Sequence, residues 1–201
     1  MTKLDNCGFL LGPFTRFLSK GCKPKYLYFA AKLLLHKVLY RGRLSLSSFS
    51  VSLEPLCRLH IDSNSRVEFG DFAYLKKGTD VEAYDGAIIK IGSNFFVNKN
   101  SSILSRAGIT IGDNCVFAAE VMIYDHNFRR DQPGVPFVKQ GFESRKITIG
   151  NNVWLGARVF VGPGVTIGDN VIVGTGTLVK KDIPPNTMVY SRSELVLRPL
   201  S

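Results

Sequence analysis

The sequence predicts an all-β protein, a parallel β-helix of about six triangular coils, with a short basic helical segment before it and one long protruding loop. Three observations predict this fold. Aliphatic residues recur with a period of six, glycine accompanies that period, and breaks divide the six-residue units into sets of three. Hydrophobic residues make up 45% of the 201 positions, a content that excludes a largely disordered chain.

The six-residue period is clearest from Ile149 onward, where aliphatic residues occupy every sixth position and a second series, aliphatic except for one threonine, follows four positions after each. The first series is Ile149, Leu155, Val161, Ile167, Val173 and Val179, and the second is Val153, Val159, Val165, Val171, Thr177 and Ile183. Six is not a helical period, so each unit is predicted to be a short strand. Three units make one triangular coil with the aliphatic residues inside.

The same register extends upstream in sets of three, separated by breaks. These sets are Ile111, Phe117 and Ile123; Ile91, Val97 and Ile103; Phe69, Leu75 and Val81; and, more faintly, Val51, Cys57 and Ser63. We therefore place the β-helix at residues 51–184, with a loop at 127–148 that leaves one corner, and a tail at 185–201.

Residues 1–50 lie outside the repeat and carry much of the positive charge. Residues 1–60 hold ten Lys and Arg against two acidic residues, a net charge of +8. Between Lys25 and Arg41, one helical face collects Leu27, Ala31, Leu34, Leu35 and Val38, and another collects Lys25, Lys32 and His36. This basic helix either caps the open end of the β-helix, which we favour because such an end exposes unpaired backbone, or lies on a membrane surface.

The sequence also limits the cellular compartment and the classes of binding partner that we expect. No apolar run approaches the roughly 20 residues of a membrane helix, the first residues do not read as a secretory signal, and the four cysteines lack metal-ligand spacing. We expect a cytoplasmic protein without a metal site, able to contact the inner face of the membrane. A charge excess at one end argues against a nucleic-acid partner and favours anionic lipid or an acidic polymer, or else a merely solvated basic face.

The stretches ITIGDNCVFAAEVMIYDHNF, at 109–128, and ITIGNNVWLGARVFVGPGVTIGDNVIVGTGTLVKKDIPPN, at 147–186, resemble the hexapeptide-repeat acyltransferases. Within that family they are most similar to sugar O-acetyltransferases of the maltose, galactoside and capsule-modifying kind. The resemblance covers about residues 51–190. It implies that the β-helix is left-handed, that the protein is a homotrimer, and that it transfers acetyl from acetyl-CoA to a carbohydrate hydroxyl.

A general base is expected at His126. Of the three histidines, His36 lies in the predicted helix and His60 in the weakest coil, whereas His126 directly precedes the long loop, where its side chain would project from a corner. The resemblance implies that His126 takes the proton of the acceptor hydroxyl and that Asn98 meets the acceptor or the reacting centre. A three-histidine zinc site of the γ-carbonic anhydrase kind is excluded, since only one histidine follows residue 60.

The resemblance further implies a coenzyme A site beside the C-terminal coils. Trp154 is expected to point outward, because Val153 and Leu155 supply the interior pattern, and it matches an aromatic residue beside the acetyl group and the pantetheine arm. The small residues of the expected channel and the cations expected near the phosphates are Gly156, Ala157, Gly174, Thr175, Lys180, Lys181 and Arg198. After Thr187 the chain departs from the usual Gly-x-Pro-Ala ending, which leaves those contacts open.

The acceptor is the least determined part. Loop 127–148 carries a net charge of +3 beside the expected base, and loops of this length usually have a function. We assign substrate binding to Asp125, Arg129 and Arg130 together with Asn98, and we expect a capsule or lipopolysaccharide glycan, with a sialic or uronic acid as the favoured acidic component. A small neutral sugar, a nucleotide sugar, or a non-catalytic binding scaffold are the alternatives.

Overall fold

The computed structural model describes residues 24–48 and 50–192 and confirms the left-handed parallel β-helix. The chain visits three parallel sheets in turn, and neighbours within each sheet lie one coil apart. Sheet A contains β1 (Leu44–Leu46), β4 (Arg66–Phe69), β7 (Ile88–Ile91), β10 (Ile109–Ile111), β15 (Ile147–Ile149) and β18 (Thr166–Ile167). Sheet B contains β2 (Ser52–Leu53), β5 (Tyr74–Leu75), β8 (Phe96–Val97), β11 (Val116–Phe117), β16 (Trp154–Leu155), β19 (Ile172–Val173) and β21 (Met188–Val189). Sheet C contains β3 (Arg58–Ile61), β6 (Asp80–Ala83), β9 (Ser102–Ser105), β12 (Met122–Tyr124), β17 (Phe160–Val161) and β20 (Leu178–Val179).

The predicted aliphatic series from Phe69 onward forms the interior of this prism. In sheet A, for example, Ile89, Ile109 and Ile147 are paired from coil to coil, and all three side chains are buried. The faint first set is out of register, because Leu53 and Leu59 pair with Leu75 and Val81, and Ser63 is exposed. The corners turn at residues with positive φ, among them Asn152 and Asn170, whose amides are hydrogen-bonded to each other at 2.9 Å. Asparagine tolerates this left-handed conformation better than most side chains, so the Gly-Asp-Asn and Asn-Asn sequences fix the corner positions.

The β-helix is longer than predicted at both ends. It begins with β1 at Leu44, inside the segment assigned to the N-terminal region, and β21 continues it to Val189, inside the predicted tail. β1 opens the first coil, which β2 and β3 complete, whereas β21 is a single strand after the last complete coil. Leu46 and Leu53, which pair with Phe69 and Leu75, lie seven positions apart, so the six-residue period does not reveal β1.

The predicted loop is largely an antiparallel hairpin. β13 (His126–Phe128) pairs with β14 (Phe142–Ser144), and a short helix α2 (Phe137–Gln140) lies between them. Ile147 and Thr148, which we predicted within the loop, belong to β15, because Ile147 fills the interior beside Ile109.

Helix α1 (Pro24–Leu39) and the turn after it cap the first coil. Capping is the alternative that we favoured for this segment. Strands β2 and β3 are the edge strands of sheets B and C at this end. Lys32 Nζ donates to the carbonyls of Glu54 and Cys57 at 3.0 and 3.1 Å. Tyr40 Oη donates to Leu59 O at 2.7 Å, and Arg43 Nη1 donates to Ile61 O at 2.7 Å. Side-chain donors thus satisfy carbonyls that no preceding coil can reach.

The face of α1 that packs on the coil is not the one we predicted. Phe29 and Leu33 are buried against the coil, whereas Leu34, Leu35 and Val38, from the predicted apolar face, are 56%, 57% and 66% exposed. The coil end offers unpaired carbonyls as well as apolar atoms, so the face that includes Lys32 turns inward. Within the described residues, no helix has the length and apolarity to cross a membrane.

Candidate active site

His126 lies where β12 ends and the hairpin begins, at the corner between sheets C and A. Its Nδ1 lies 3.1 Å from Oδ1 of Asp125, and its side chain is only 14% exposed. With Nδ1 held by a carboxylate, the ring presents Nε2 as the free nitrogen, and this atom has no hydrogen-bond partner within residues 24–48 and 50–192. An imidazole in this arrangement can accept a proton at Nε2 while the carboxylate stabilises the resulting positive charge.

Asp125 is fixed by the coil that precedes it. Its Oδ1 accepts the Arg106 amide at 2.8 Å, and its Oδ2 accepts Ser105 Oγ at 2.7 Å and the amides of Ala107 and Gly108 at 2.8 Å each. Burial by itself would raise the pKa of Asp125, but hydrogen bonds from His126, Ser105 and the backbone hold that pKa below its usual value. The carboxylate therefore stays ionised although its side chain is 0% exposed.

This burial changes the role we assigned to Asp125. We expected it to bind the substrate, but a side chain without exposed surface offers nothing to an acceptor. Both oxygens of Asp125 are occupied by donors of the protein, and one of these donors is His126 Nδ1, so the carboxylate faces the imidazole and not an acceptor.

Aromatic rings frame the imidazole of His126. Tyr124 stacks beside it with 6.3 Å between ring centroids, and Phe142 of β14 meets it edge to face at 5.4 Å. On Phe142 rests the guanidinium of Arg106, whose Cζ lies 3.7 Å from the ring centroid. The hairpin and the preceding coil together fix the orientation of the imidazole and shield part of it from water.

A second group of predicted residues lies at the corner between sheets B and C. Asn98 follows β8 there, and its Oδ1 accepts the Lys99 amide at 2.9 Å, which orients Nδ2 as the available donor. Gly156 and Gly174 follow β16 and β19 in the same column, since the Gly156 amide donates to Val173 O, the carbonyl that directly precedes Gly174. Ala157 and Thr175 stand beside these two glycines.

Gly156 and Gly174 are required by the stacking of coils. A Cβ at Gly156 would lie 2.6 Å from the Thr175 nitrogen, and one at Gly174 would lie 2.8 Å from Tyr190 Cβ. Contacts this short do not occur between real atoms, so these two glycines have a cause within the chain that is independent of any cofactor.

Trp154 points outward as predicted and is 54% exposed. It belongs to an outward-facing column on sheet B, in which each residue pairs with the residue at the same position in the next coil. The column consists of Tyr74, Phe96, Val116, Trp154, Ile172 and Met188. The corresponding column on sheet A is polar and consists of Ser45, Glu68, Lys90, Thr110, Thr148 and Thr166. Sheet B therefore presents an apolar surface and sheet A a solvated one.

The predicted cations are distributed unequally. Lys180 and Lys181 are exposed at the corner between sheets C and A, two coils beyond His126, which is roughly 10 Å along the axis at about 4.8 Å per coil. Arg129 and Arg130 are exposed on the hairpin, and Arg129 Nε donates to Phe142 O at 3.2 Å. Arg198 lies outside the described residues.

One chain does not bring all these residues together. His126 and Lys180 lie at one edge of sheet C, and Asn98 and Gly156 lie at the other. Six residues separate Gly156 from Gly162 at the far edge, which spans roughly 15–20 Å at about 3.3 Å per residue. In a single protomer the predicted residues thus form two groups, one on each edge of sheet C, and we call these two groups the half-sites.

Sequence reasoning missed Ser105, Arg106 and Phe142. Ser105 and Arg106 lie one coil before Asp125. Aligning the two coils by their repeat, with the break at 107–108 taken into account, could have placed them beside it. Phe142 reaches His126 only through the pairing of the hairpin, where it lies opposite Phe128, and no repeat reports that pairing. Among the described residues, no cluster of three or more His, Cys, Asp or Glu could hold a metal ion.

Comparison with known proteins identifies the repeat. Residues 146–181 match the family described as bacterial transferase hexapeptide (six repeats), and residues 88–125 match the hexapeptide repeat of succinyl-transferase. The chain is 39% identical over 109 residues to a galactoside O-acetyltransferase of Escherichia coli K12, and the match covers 51% of this chain and 50% of that protein. It therefore spans about half the length of this relative.

A second relative matches over a larger share of its length. The putative lipopolysaccharide biosynthesis O-acetyl transferase WbbJ of Escherichia coli K12 is 30% identical over 137 residues, which are 65% of this chain and 70% of that protein. Among solved structures, AntD, an N-acyltransferase from Bacillus cereus in complex with dTDP and 3-hydroxybutyryl-CoA, has a TM-score of 0.63 at 16% identity and covers 80% of this chain and 83% of its own, a likeness of fold. With repeat matches on both sides of the hairpin and a relative covered over more than two thirds of its length, the chain belongs to the hexapeptide-repeat acyltransferase family.

Proposed function

We propose that this protein is an O-acetyltransferase that moves the acetyl group of acetyl-CoA to a carbohydrate hydroxyl, with His126 as general base. The observation that carries the proposal is the His126–Asp125 pair, a buried ionised carboxylate holding an imidazole whose other nitrogen is free. The pair stands at a corner of a β-helix whose relatives are named as acetyltransferases.

The geometry supports a direct transfer. Acetyl-CoA supplies an activated thioester carbonyl. His126 Nε2 accepts the proton of the acceptor hydroxyl as its oxygen bonds to that carbonyl carbon, and the carbon–sulfur bond breaks. The departing thiolate recovers the proton from the imidazolium, which Asp125 stabilises meanwhile. Nδ2 of Asn98 is the donor proposed for the negative charge that develops on the carbonyl oxygen.

The two half-sites support a homotrimer as the active form. The sheet C–A corner of one protomer carries the base, and the sheet B–C corner of its neighbour would carry Asn98 and Trp154. The apolar column on sheet B gives such an assembly a surface to bury, whereas the polar column on sheet A would remain in water. Acetyl-CoA would then lie between two protomers, with Trp154 against its arm and Lys180 and Lys181 toward its phosphates.

For the acceptor we propose a glycan of a capsule or lipopolysaccharide that contains an acidic sugar. Beside the base, the hairpin holds a cleft of about 130 Å³ lined by Asn127, Phe128, Arg130, Glu143, Arg145 and Pro163. Two of these residues are arginines, and within residues 24–48 and 50–192 only Arg145 of the two forms an ion pair, with Glu143 at 3.9 Å. Arginine is the side chain best suited to bind a carboxylate with two parallel hydrogen bonds.

An acceptor screen tests the proposal. Full-length protein is incubated with acetyl-CoA and a panel of neutral and acidic glycans, and acetylated products are detected by mass spectrometry. His126→Asn should lower turnover at least roughly 100-fold while affinity for acetyl-CoA changes little, because general-base catalysis contributes on the order of 10²–10⁴.

The chain offers a matched control in its other His–Asp pair. His60 Nε2 lies 3.1 Å from Asp62 Oδ1 near the first coils of sheet C, and His60→Asn should leave turnover near normal. Near-normal turnover in His126→Asn would remove His126 from its role. Absence of transfer to every glycan would favour the non-catalytic scaffold.

A further inference from the structure

We propose that the N-terminal end of the β-helix docks on a membrane surface rich in anionic phospholipid through the outer row of α1. The outer row consists of Tyr28, Leu34, Leu35, Val38 and Leu39, all exposed large hydrophobic side chains. This contact is separate from the acetyl-transfer chemistry and does not depend on it.

Helix α1 is apolar on two sides, and the coil uses only one of them. Phe29 and Leu33 are buried on the inner side, and Tyr40, in the turn beyond the helix, is bonded to Leu59 O. The outer row lies on the opposite side, along more than two helical turns. A contiguous row of exposed apolar side chains on a helix marks a surface that a partner covers, so the outer row calls for an apolar partner.

Leu56 enlarges the apolar surface at the same end of the prism. It lies in the turn between Glu54 and Cys57, whose carbonyls Lys32 holds, and it is 78% exposed. Its φ is +63°, a left-handed conformation that a leucine adopts at a cost. An exposed apolar side chain at such a position adds to the surface available for insertion among lipids.

The charge beside the outer row selects the kind of partner. Lys37 on α1 and Arg41, which follows α1, are both exposed. Along the sequence, no Asp or Glu occurs between Asp5 and Glu54. Apolar side chains flanked by cations on a helix are typical of binding in the plane of an anionic bilayer, where the apolar row enters the headgroup boundary and the cations meet the phosphates.

The docking would also fix the orientation of the prism. Because Lys32, Tyr40 and Arg43 bond α1 to the first coil, a helix lying on a membrane would carry the whole β-helix with its N-terminal end toward the lipid. His126 lies three coils further along the axis from β3, roughly 14 Å at about 4.8 Å per coil.

Flotation with vesicles tests the inference on full-length protein. Vesicles of phosphatidylglycerol and phosphatidylethanolamine should carry the protein upward at low salt, and vesicles of phosphatidylcholine alone should not. Val38→Glu should reduce the bound fraction at least roughly tenfold. Arg41→Glu should weaken binding roughly fivefold or more, as the loss of a cation near an anionic surface predicts.

Val138 gives the matched control. It is a valine on the short helix α2 and is also exposed, so Val138→Glu introduces the same charge far from α1 and should leave flotation unchanged. The mass of wild type and Val38→Glu is measured in parallel by light scattering without vesicles, and unchanged values are expected. Failure of the wild type to float would overturn the inference, as would equal flotation of Val38→Glu. A change of mass in Val38→Glu would also overturn it, by showing that the outer row contacts a second copy of the chain.

Discussion

Asp125 and His126 are neighbours in sequence, yet the carboxylate that orients the imidazole is fixed by the preceding coil. Ser105 and the amides of Arg106, Ala107 and Gly108 hold Asp125, and Asp125 in turn lies 3.1 Å from His126 Nδ1. The imidazole of His126 is therefore anchored to the coils of the β-helix, although it stands at the first position of the hairpin.

Replacing Asp125 by asparagine should lower kcat by roughly 10²–10⁴ with little change in KM for acetyl-CoA. The amide would no longer fix the proton on Nδ1 or stabilise the imidazolium. Ser105→Ala keeps the charge and the backbone donors and should cost only a few-fold in kcat. An unchanged kcat in Asp125→Asn, or an equal loss in Ser105→Ala, would contradict the positioning role.

Asp125 should also make folding stability depend on pH. Its pKa is lowered in the folded protein, so the unfolded state binds the proton more readily. The stability that it contributes is complete above the unfolded-state pKa of about 3.9 and is lost as pH falls below that value toward the folded-state pKa. The difference in unfolding free energy between wild type and Asp125→Asn, measured with urea, should be largest near pH 7 and shrink below about pH 4. A difference that is independent of pH would contradict this assignment.

Removal of one capping hydroxyl should destabilise the first coil. Tyr40→Phe leaves Leu59 O without its donor and should cost about 1–3 kcal/mol, which is the penalty of an unsatisfied buried acceptor. Tyr28→Phe is the matched control, because Tyr28 is exposed on the outer row, and it should stay within about 0.5 kcal/mol of wild type. Equal losses in the two variants would show that the hydrogen bond to Leu59 does not stabilise the cap.

The sequence was sufficient for the β-helix because every unit repeats the same physical requirement, an inward aliphatic residue and a corner that tolerates positive φ. It was insufficient for α1, where Leu34 and Val38 form as good an apolar face as Phe29 and Leu33. The carbonyls at the coil end, among them those of Glu54 and Cys57, favour the face that carries Lys32, and α1 meets them only in the folded chain. The same holds for Phe142, which nothing in the repeat connects to His126.

The apolar column on sheet B should hold the proposed trimer together. Val116→Lys places a charge in the middle of that column and should convert a species of three times 22.3 kDa into monomer on light scattering, with loss of acetyl transfer. Thr148→Lys, at a polar position of sheet A, should change neither mass nor activity. A wild-type monomer with full activity would contradict the shared site.

An acidic acceptor should bind through the positive hairpin, and this attraction should depend on salt. Arg129 and Arg130 are exposed beside the base, so a carboxylate-bearing glycan is attracted by charges that ions screen as ionic strength rises past about 0.15 M. Apparent KM for the acidic glycan should therefore climb with salt. Arg130→Glu, alone or with Arg129→Glu, should raise it further while KM for acetyl-CoA hardly moves. The single variant is the cleaner test, because Arg129 also bonds Phe142 O within the hairpin.

Arg66→Glu is the control for that charge reversal, since it makes the same change at an exposed position of β4 on sheet A and should leave the acceptor KM unaltered. If the enzyme instead prefers neutral sugars and its acceptor KM ignores salt, the arginines of the hairpin do not select the acceptor. The positive hairpin would then not discriminate acidic from neutral glycans. A small neutral sugar or a nucleotide sugar would be the next acceptor to test. An acceptor KM that rises equally in Arg66→Glu and Arg130→Glu would show an effect of net charge alone, without a binding site at the hairpin.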